Sequence, residues 1–281
     1  MARPLVSALS FCVCRAIVAD IQGEGGMRPS NAISFRASDA RVAQEALAEL
    51  TARFGQTTPE EADIVVALGG DGFMLETLKD VQPMDKPVYG MNRGTVGFLM
   101  NEYRGEDLPH RLAEAEEAVI HPLRMRAEDG AGDIHEGLAI NEVSLLREGP
   151  QAARLRISID GQPRLEELVC DGALVSTPAG STAYNYSAHG PILPIRSEVL
   201  ALTAVAPFRP RRWRGALLPK SALVRFDVLN PSKRPVMADA DGKPVRNVMW
   251  VEAQSEPEVK HRILFDPGHG LEERLIREQF V

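Results

Sequence analysis

The chain has 281 residues, 44% of them hydrophobic and 25% charged, enough for one large core or two medium domains. A formal net charge of -7 gives no general basic field for nucleic acid or an anionic lipid surface, and no apolar run approaches the ~20 residues that span a bilayer. Three cysteines, Cys12, Cys14 and Cys170, make an odd and sparse set that argues against a disulfide framework, fits a reducing cytoplasmic compartment and lacks a second Cys or His pair at zinc spacing.

The first stretch, MARPLVSALSFCVCRAIVAD, loosely mimics a secretory signal, but Arg15 interrupts it and no small-x-small cleavage site follows. With the glycine-rich IQGEGGMRPS behind it, residues 1–26 read as a disordered extension ahead of a start at Met27. After Met27 the pattern alternates. NAISF predicts a short strand, and ASDARVAQEALAELTARFG predicts a helix capped by Ser38 or Asp39, with Val42, Ala46, Leu47 and Leu50 on its inner face and Gly55 past its end. Ala62 to Leu68 is apolar throughout, as a parallel strand covered on both faces requires. FMLETLKDV then predicts a helix starting directly after a glycine loop, and KPVYGMN a further strand leading into RGTVGFL. This is the grammar of an open α/β sheet spanning residues 27–120.

From about His121 the grammar changes. Asp129-Gly130, Asp160-Gly161 and Asp241-Gly242 are flanked by runs such as RLRISI, ALVRFDVL and NVMWVEA, and Asp-Gly is a strong hairpin signal because both residues tolerate positive φ. Residues 121–269 therefore read as an antiparallel β domain, and LEERLIREQF within 270–281 as an amphipathic helix that completes the first domain. Arg209, Arg211, Arg212 and Arg214 around Trp213 form a local basic cluster, read as a solvated loop or subunit contact.

Two segments carry chemistry. In VVALGGDGFM (Val65–Met74) an apolar strand opens into Gly69, Gly70, Asp71 and Gly72. The carboxyl end of such a strand is where open α/β sheets bind ligands. Bare glycines let backbone amides approach a phosphate, and the following helix points its N-terminus at the same spot. Asp71 suits a general base in phosphoryl transfer. An Asx-type turn explains the same four residues equally well. G-x-x-x-x-G-K-[ST], G-x-S-x-G and H-E-x-x-H are all missing from the sequence, which excludes an ordinary P-loop and the simplest hydrolase readings. The second segment, DGALVSTPAGSTAYNYSAHGPILP from Asp171, offers small hydroxyls, exposed amides and two aromatic rings.

GGDG at Gly69–Gly72, GMNRGTVGFL at Gly90–Leu99, NEV at Asn141–Val143 and DGALVSTPAGSTAYNYSAHGPI at Asp171–Ile192 together resemble the NAD kinases, bacterial type, which phosphorylate NAD to NADP. The resemblance implies a Rossmann-like α/β domain followed by a β-sandwich domain, with NAD in the cleft between them. ATP is the expected phosphate donor, Mg2+ the expected cofactor, and a homodimer or homotetramer the expected assembly. It implies that Asp71 is catalytic, engaging the 2′-hydroxyl of the adenosine ribose, with Gly72 in the same contact and Gly69, Gly70 and Gly72 as the phosphate-donor loop. It further implies NAD contacts at Asn141, Glu142, Asp171, Ala179, Thr182, Ala183, Tyr184, Asn185, Tyr186, Ser187 and Ala206, with Tyr184 as the stacking ring. Lys243 stands where the family often has glutamine, so the Asp241 region is left out of the expected site. Two alternatives remain: a diacylglycerol-type lipid kinase sharing the glycine motif, and a non-catalytic nucleotide-binding module.

Overall fold

The computed structural model describes residues 32–94, 97–211, 213–278 and 280. The expected extension at residues 1–26, with Cys12 and Cys14, lies outside them.

The first half runs β1 (Ile33–Ala37), α1 (Arg41–Phe54), β2 (Ile64–Gly69), α2 (Asp71–Val81), β3 (Val88–Asn92), α3 (Leu108–Glu114) and β4 (Glu116–Ile120). The second half runs β5 (Leu123–Asp129), β6 (Ile134–Ala139), β7 (Glu142–Arg147), β8 (Ala153–Ile159), β9 (Gln162–Cys170) and β10 (Gly172–Ser176), then a 3-10 turn (Ala179–Thr182) and α4 (Tyr184–Ser187). It continues with β11 (Val199–Val205), β12 (Gly215–Pro219), β13 (Val224–Val228), β14 (Val236–Ala240), β15 (Pro244–Val245), β16 (Val248–Ser255), β17 (His261–Phe265) and α5 (Leu271–Glu278).

The first sheet has the order β1-β2-β3-β17-β4, parallel except where β4 runs against β17. Every residue of β2 is buried. Val65 and Ala67 enter a core with α2, while Ile64, Val66 and Leu68 enter another with α1. The two-residue side-chain period thus feeds both faces of one strand, which is why the run is apolar throughout.

Two six-stranded antiparallel sheets follow, β12-β11-β10-β7-β14-β15 and β6-β5-β16-β13-β8-β9. Val143, Leu145 and Val175 from one sheet meet Met125, Leu155 and Phe226 from the other in a single core. In β13 and β14 buried and partly exposed positions alternate strictly, as expected for sheets with one face inward. The α/β domain followed by a β-sandwich is therefore the architecture observed.

Several local expectations shift. Helix α1 begins at Arg41 on Ala40 with no side-chain cap, and Ala43 rather than Val42 joins Ala46 and Leu50 in the core. Leu47 packs against the same core, so the expected stripe holds apart from the exchange of Val42 for Ala43. Asp160 and Gly161 (φ 51° and 76°) form a two-residue hairpin, and Asp241 and Gly242 (48° and 87°) turn β14 into β15. Asp129-Gly130 does not make such a turn: the loop runs on to Asp133, Gly132 takes the positive φ (88°), and the Asp129 carboxylate accepts the amides of Ala131 and Asp133 instead. Strand β17, assigned by sequence to the β-rich half, pairs with β3 and β4 in the first sheet. Leu271 and Leu275 of α5 then pack beside Met74, Leu99 and Met100 of that half, in a core that also takes Ile140 and Ala179. That shared core fixes the two halves against each other around α2.

Candidate functional site

Helix α2 starts two residues earlier than its apolar pattern indicates, at Asp71 instead of Phe73. Gly70 is the extended N-cap (φ -114°) and Asp71 is the first helical residue, where the helix dipole favours an acid. A Cβ placed on Gly70 or Gly72 would meet none of the described residues within 4 Å, so no described side chain crowds these amides.

The Asp71 carboxylate is held on both oxygens. Phe98 N donates to Oδ2 at 2.7 Å and Leu99 N to Oδ1 at 2.9 Å. Gly97 makes this approach feasible, since a Cβ there would lie 2.6 Å from Met100 Cγ and 3.2 Å from Asp71 Oδ1. Each carboxylate oxygen has a second lone pair, so two amides orient the acid without exhausting it as an acceptor. An Asx turn, in which the side chain bonds its own neighbouring backbone, is not what Asp71 makes.

The second cluster forms around Asp241. Its side chain is 1% exposed and lies 3.6 Å from Lys79 Nζ, which also donates to the Asp241 carbonyl at 3.1 Å. Ile140 N (2.5 Å), Asn141 N (3.2 Å) and Glu142 N (3.3 Å) converge on the same carboxylate. Burial raises the Asp241 pKa against the pull of Lys79 and these amides. Lys79 belongs to α2, so one ion pair ties the helix headed by Asp71 to the loop carrying Asn141 and Glu142. The sequence marks Asp241 as a turn residue and carries no signal at Lys79. The Asp-Gly signal was correct, and nothing local revealed that the turn's carboxylate caps a distant loop.

Glu142 is half-buried, and its enclosed Oε2 has no hydrogen-bond partner among the described residues. Burial, then the negative charge of Asp241, push its carboxyl up to about 7, opposed by the Tyr184 amide it accepts. The Tyr184 hydroxyl is raised by burial, then by Glu142 and Asp171. Asn141, Glu142, Asp171 and Tyr184 are therefore brought together. Asp171 accepts Arg147 Nε at 2.5 Å, a partner no sequence signal marked.

The 3-10 turn is clasped to this loop. Thr177 N donates to Asn141 O at 3.0 Å, and a Cβ on Gly180 would fall 2.2 Å from that same oxygen. Thr182, Ala183 and Tyr184 are half-buried, while Tyr186 and Ser187 are exposed. Ala206 is exposed at φ 47°, just after Val205 accepts the Asp171 amide. Two expected contacts turn inward. Ala179 sits in the apolar core. Asn185 is fully buried, donating to Ser181 O and Pro191 O and accepting the Thr203 hydroxyl at 2.6 Å, so its side chain braces the loop. A cavity of about 390 Å³ opens beside Lys79, Arg124, Lys243 and His261, towards the opposite end of α2 from Asp71. Volume does not mark a site here; Asp71, Glu142 and Asp171 are the acids with chemistry to offer.

The sequence matches the profile described as ATP-NAD kinase N-terminal domain over residues 1–119 and that described as ATP-NAD kinase C-terminal domain over residues 140–250. The chain belongs to the ATP-NAD kinase family. Within the family it is 72% identical over 249 residues to the NAD kinase of Cereibacter sphaeroides, covering 89% of this chain and 98% of that one. It is 58% identical over 248 residues to the NAD kinase of Caulobacter vibrioides, covering 88% and 95%. Among solved structures, the fold is shared with yeast NADH kinase complexed with NADH (TM-score 0.76, 21% identity, 90% and 88% covered). It is also shared with an NAD kinase from Archaeoglobus fulgidus in complex with ATP (TM-score 0.66, 24% identity, 88% and 97% covered). The lipid-kinase alternative draws no support from these relatives.

Proposed function

We propose that this chain transfers the γ-phosphoryl group of ATP to the 2′-hydroxyl of the adenosine ribose of NAD, giving NADP and ADP. The observation that carries this reading is Asp71, oriented by two amides at the head of α2. It accepts the 2′-hydroxyl hydrogen bond and takes the proton as the new O–P bond forms and the bond to the ADP oxygen breaks. The α2 N-terminus and the open glycine amides receive the donor's phosphates. Glu142, with its unpartnered Oε2, accepts ribose hydroxyls; Asp171 lies alongside, and Tyr184 stacks on a ring. Thr182, Ala183, Tyr186, Ser187 and Ala206 line the dinucleotide, Asn185 and Ala179 supporting them from within.

A divalent cation fits as the companion of the donor's phosphates. Among the described residues no three His, Cys, Asp or Glu side chains group as ligands, and Mg2+ keeps waters and phosphate oxygens rather than needing an all-protein cage. Bound there, it neutralises phosphate charge. No helix among the described residues is long and apolar enough to cross a membrane. We place the protein in the cytoplasm as a homodimer or homotetramer, with the exposed Phe208 and Leu217 (52% and 58%) as apolar surface for assembly; its mass in solution checks this.

Incubation with NAD, ATP and Mg2+, followed by detection with an NADP-specific dehydrogenase, tests the reaction. No product from intact protein, or phosphorylation of diacylglycerol instead, overturns it. Glu142 adds a pH signature. Its folded pKa, near 7, lies above the ordinary 4.5, so its contribution to stability is full below 4.5 and is lost as pH rises through 7. Hydrogen-bond acceptance strengthens in the opposite direction, as the carboxyl ionises. NAD affinity is expected to be about tenfold weaker at pH 6 than at pH 8, and Glu142→Gln is expected to flatten that profile. A titration with the same slope in both proteins would assign the dependence elsewhere.

A further inference from the structure

We propose that Arg274 is the positioning residue of the Asp71 carboxylate, acting through the peptide groups of Gly97–Leu99. The inference rests on the assignment of Asp71 as the base.

Arg274 projects from α5, whose Leu271 and Leu275 are buried beside Leu99 and Met100. Its Nη1 donates to Met100 O (2.6 Å), Phe98 O (3.1 Å) and Gly97 O (3.4 Å). Its Nε donates to His269 O at 2.8 Å, and the guanidinium lies 5.0 Å from the Phe265 ring centroid. The side chain is thereby fixed at both ends of its fork and on its face.

A peptide unit is planar and trans, so its C=O and N–H point in opposite directions. The Phe98 N–H that holds Asp71 belongs to the same unit as the Gly97 carbonyl. The Leu99 N–H belongs to the same unit as the Phe98 carbonyl. Both units lie between Arg274 on one side and Asp71 on the other. The guanidinium polarises each carbonyl, and each polarised unit donates more strongly to the carboxylate. Rotating either unit would break a bond at both ends. Burial lowers the Arg274 pKa, and Asp71 is the first anion that opposes this, in keeping with a charge that reads the carboxylate across the loop. No motif in the sequence pointed to Arg274; it sits three residues after Leu271 and beside Leu275, on the inward stripe of a helix some 200 residues away.

This matters for catalysis because a base displaced by ~1 Å can lose ~10²-fold in rate with little change in substrate binding. The test uses Arg274→Met, of similar length but without charge or donors, and Arg274→Lys, which keeps the charge but lacks the fork. Turnover is normalised to the fraction of each protein that binds NAD in equilibrium dialysis, so losses in folding divide out. Arg274→Met is expected to lower kcat by ~10²-fold with KM for NAD within about threefold of the unsubstituted chain, and Arg274→Lys to fall between them. In an Arg274→Ala protein, added methylguanidine is expected to restore part of kcat while leaving the fraction that binds NAD unchanged, which separates positioning of the base from recovery of folding. An Arg274→Met kcat within about threefold of the original, or a loss residing wholly in KM, overturns the role of Arg274 alone. If the unsubstituted chain forms no NADP in the same assay, the assignment of Asp71 fails, and this inference with it.

Discussion

Asp71→Asn is expected to lower kcat by at least ~10²-fold, the usual contribution of a positioned general base. An amide cannot take the 2′-hydroxyl proton, so the loss belongs to the chemical step and not to NAD binding. The geometry makes the substitution less neutral than its shape suggests. Phe98 N and Leu99 N each donate to a different carboxylate oxygen, while an asparagine has only one acceptor oxygen. Its NH2 must face one of these amides, leaving that donor without a partner at a cost of about 1–3 kcal/mol where water is excluded. The loop from Gly97 to Met100 therefore relaxes as well. Steady-state kinetics with NAD varied would show the fall in kcat, and dialysis would show NAD still bound. Full turnover in a variant that binds NAD normally would remove Asp71 from the reaction.

Asp241→Ala is expected to act at the other end of α2, on stability and on NAD binding together. The substitution removes the acceptor shared by the amides of Ile140, Asn141 and Glu142 and leaves Lys79 without its anion. Breaking a buried pair from one side typically costs ~3–5 kcal/mol. Lys79, 17% exposed, recovers part of this by reaching water, so the lower end of that range is the expected value. A melting temperature lower by roughly 10 °C follows for a chain of this size. Because Asp241 is also one cause of the raised Glu142 pKa, the pH midpoint of NAD binding in the surviving protein should move downward. A thermal melt and an NAD titration at two pH values check both parts; an unchanged melting temperature with unchanged affinity would contradict the clamp.

The local signals in the sequence were those with a local cause. Ile64 to Leu68 had to be apolar because both faces of β2 are covered, and the glycines after it mark the point where the backbone itself is exposed. Asp160-Gly161 and Asp241-Gly242 declared their turns because positive φ admits few residue types. What the sequence did not disclose depends on contacts made across the chain. Strand β17 is buried at every position but Arg262, yet nothing in so short a run as HRILF says that it pairs with β3 and β4 instead of extending the sandwich. On α1 only the first inward position was misplaced, Ala43 being buried and Val42 exposed, because both are apolar and only the packing partners distinguish them. Asn185 sits in a motif expected to face the dinucleotide, yet its amide matches Ser181, Pro191 and Thr203 so completely that it serves the loop. Arg274, Lys79 and Arg147 are ordinary basic residues until the fold places a carboxylate or a carbonyl in front of each.

The central claim is that the carboxylate at the head of α2 faces the ribose of NAD. A crystal structure of the protein with NAD and an unreactive ATP analogue tests this most directly. An Asp71 oxygen about 2.6–3.2 Å from the 2′-hydroxyl of the adenosine ribose, with Phe98 and Leu99 still donating to that carboxylate, is the predicted result. A 2′-hydroxyl bound by a different acid, with Asp71 beyond hydrogen-bond reach, would contradict it.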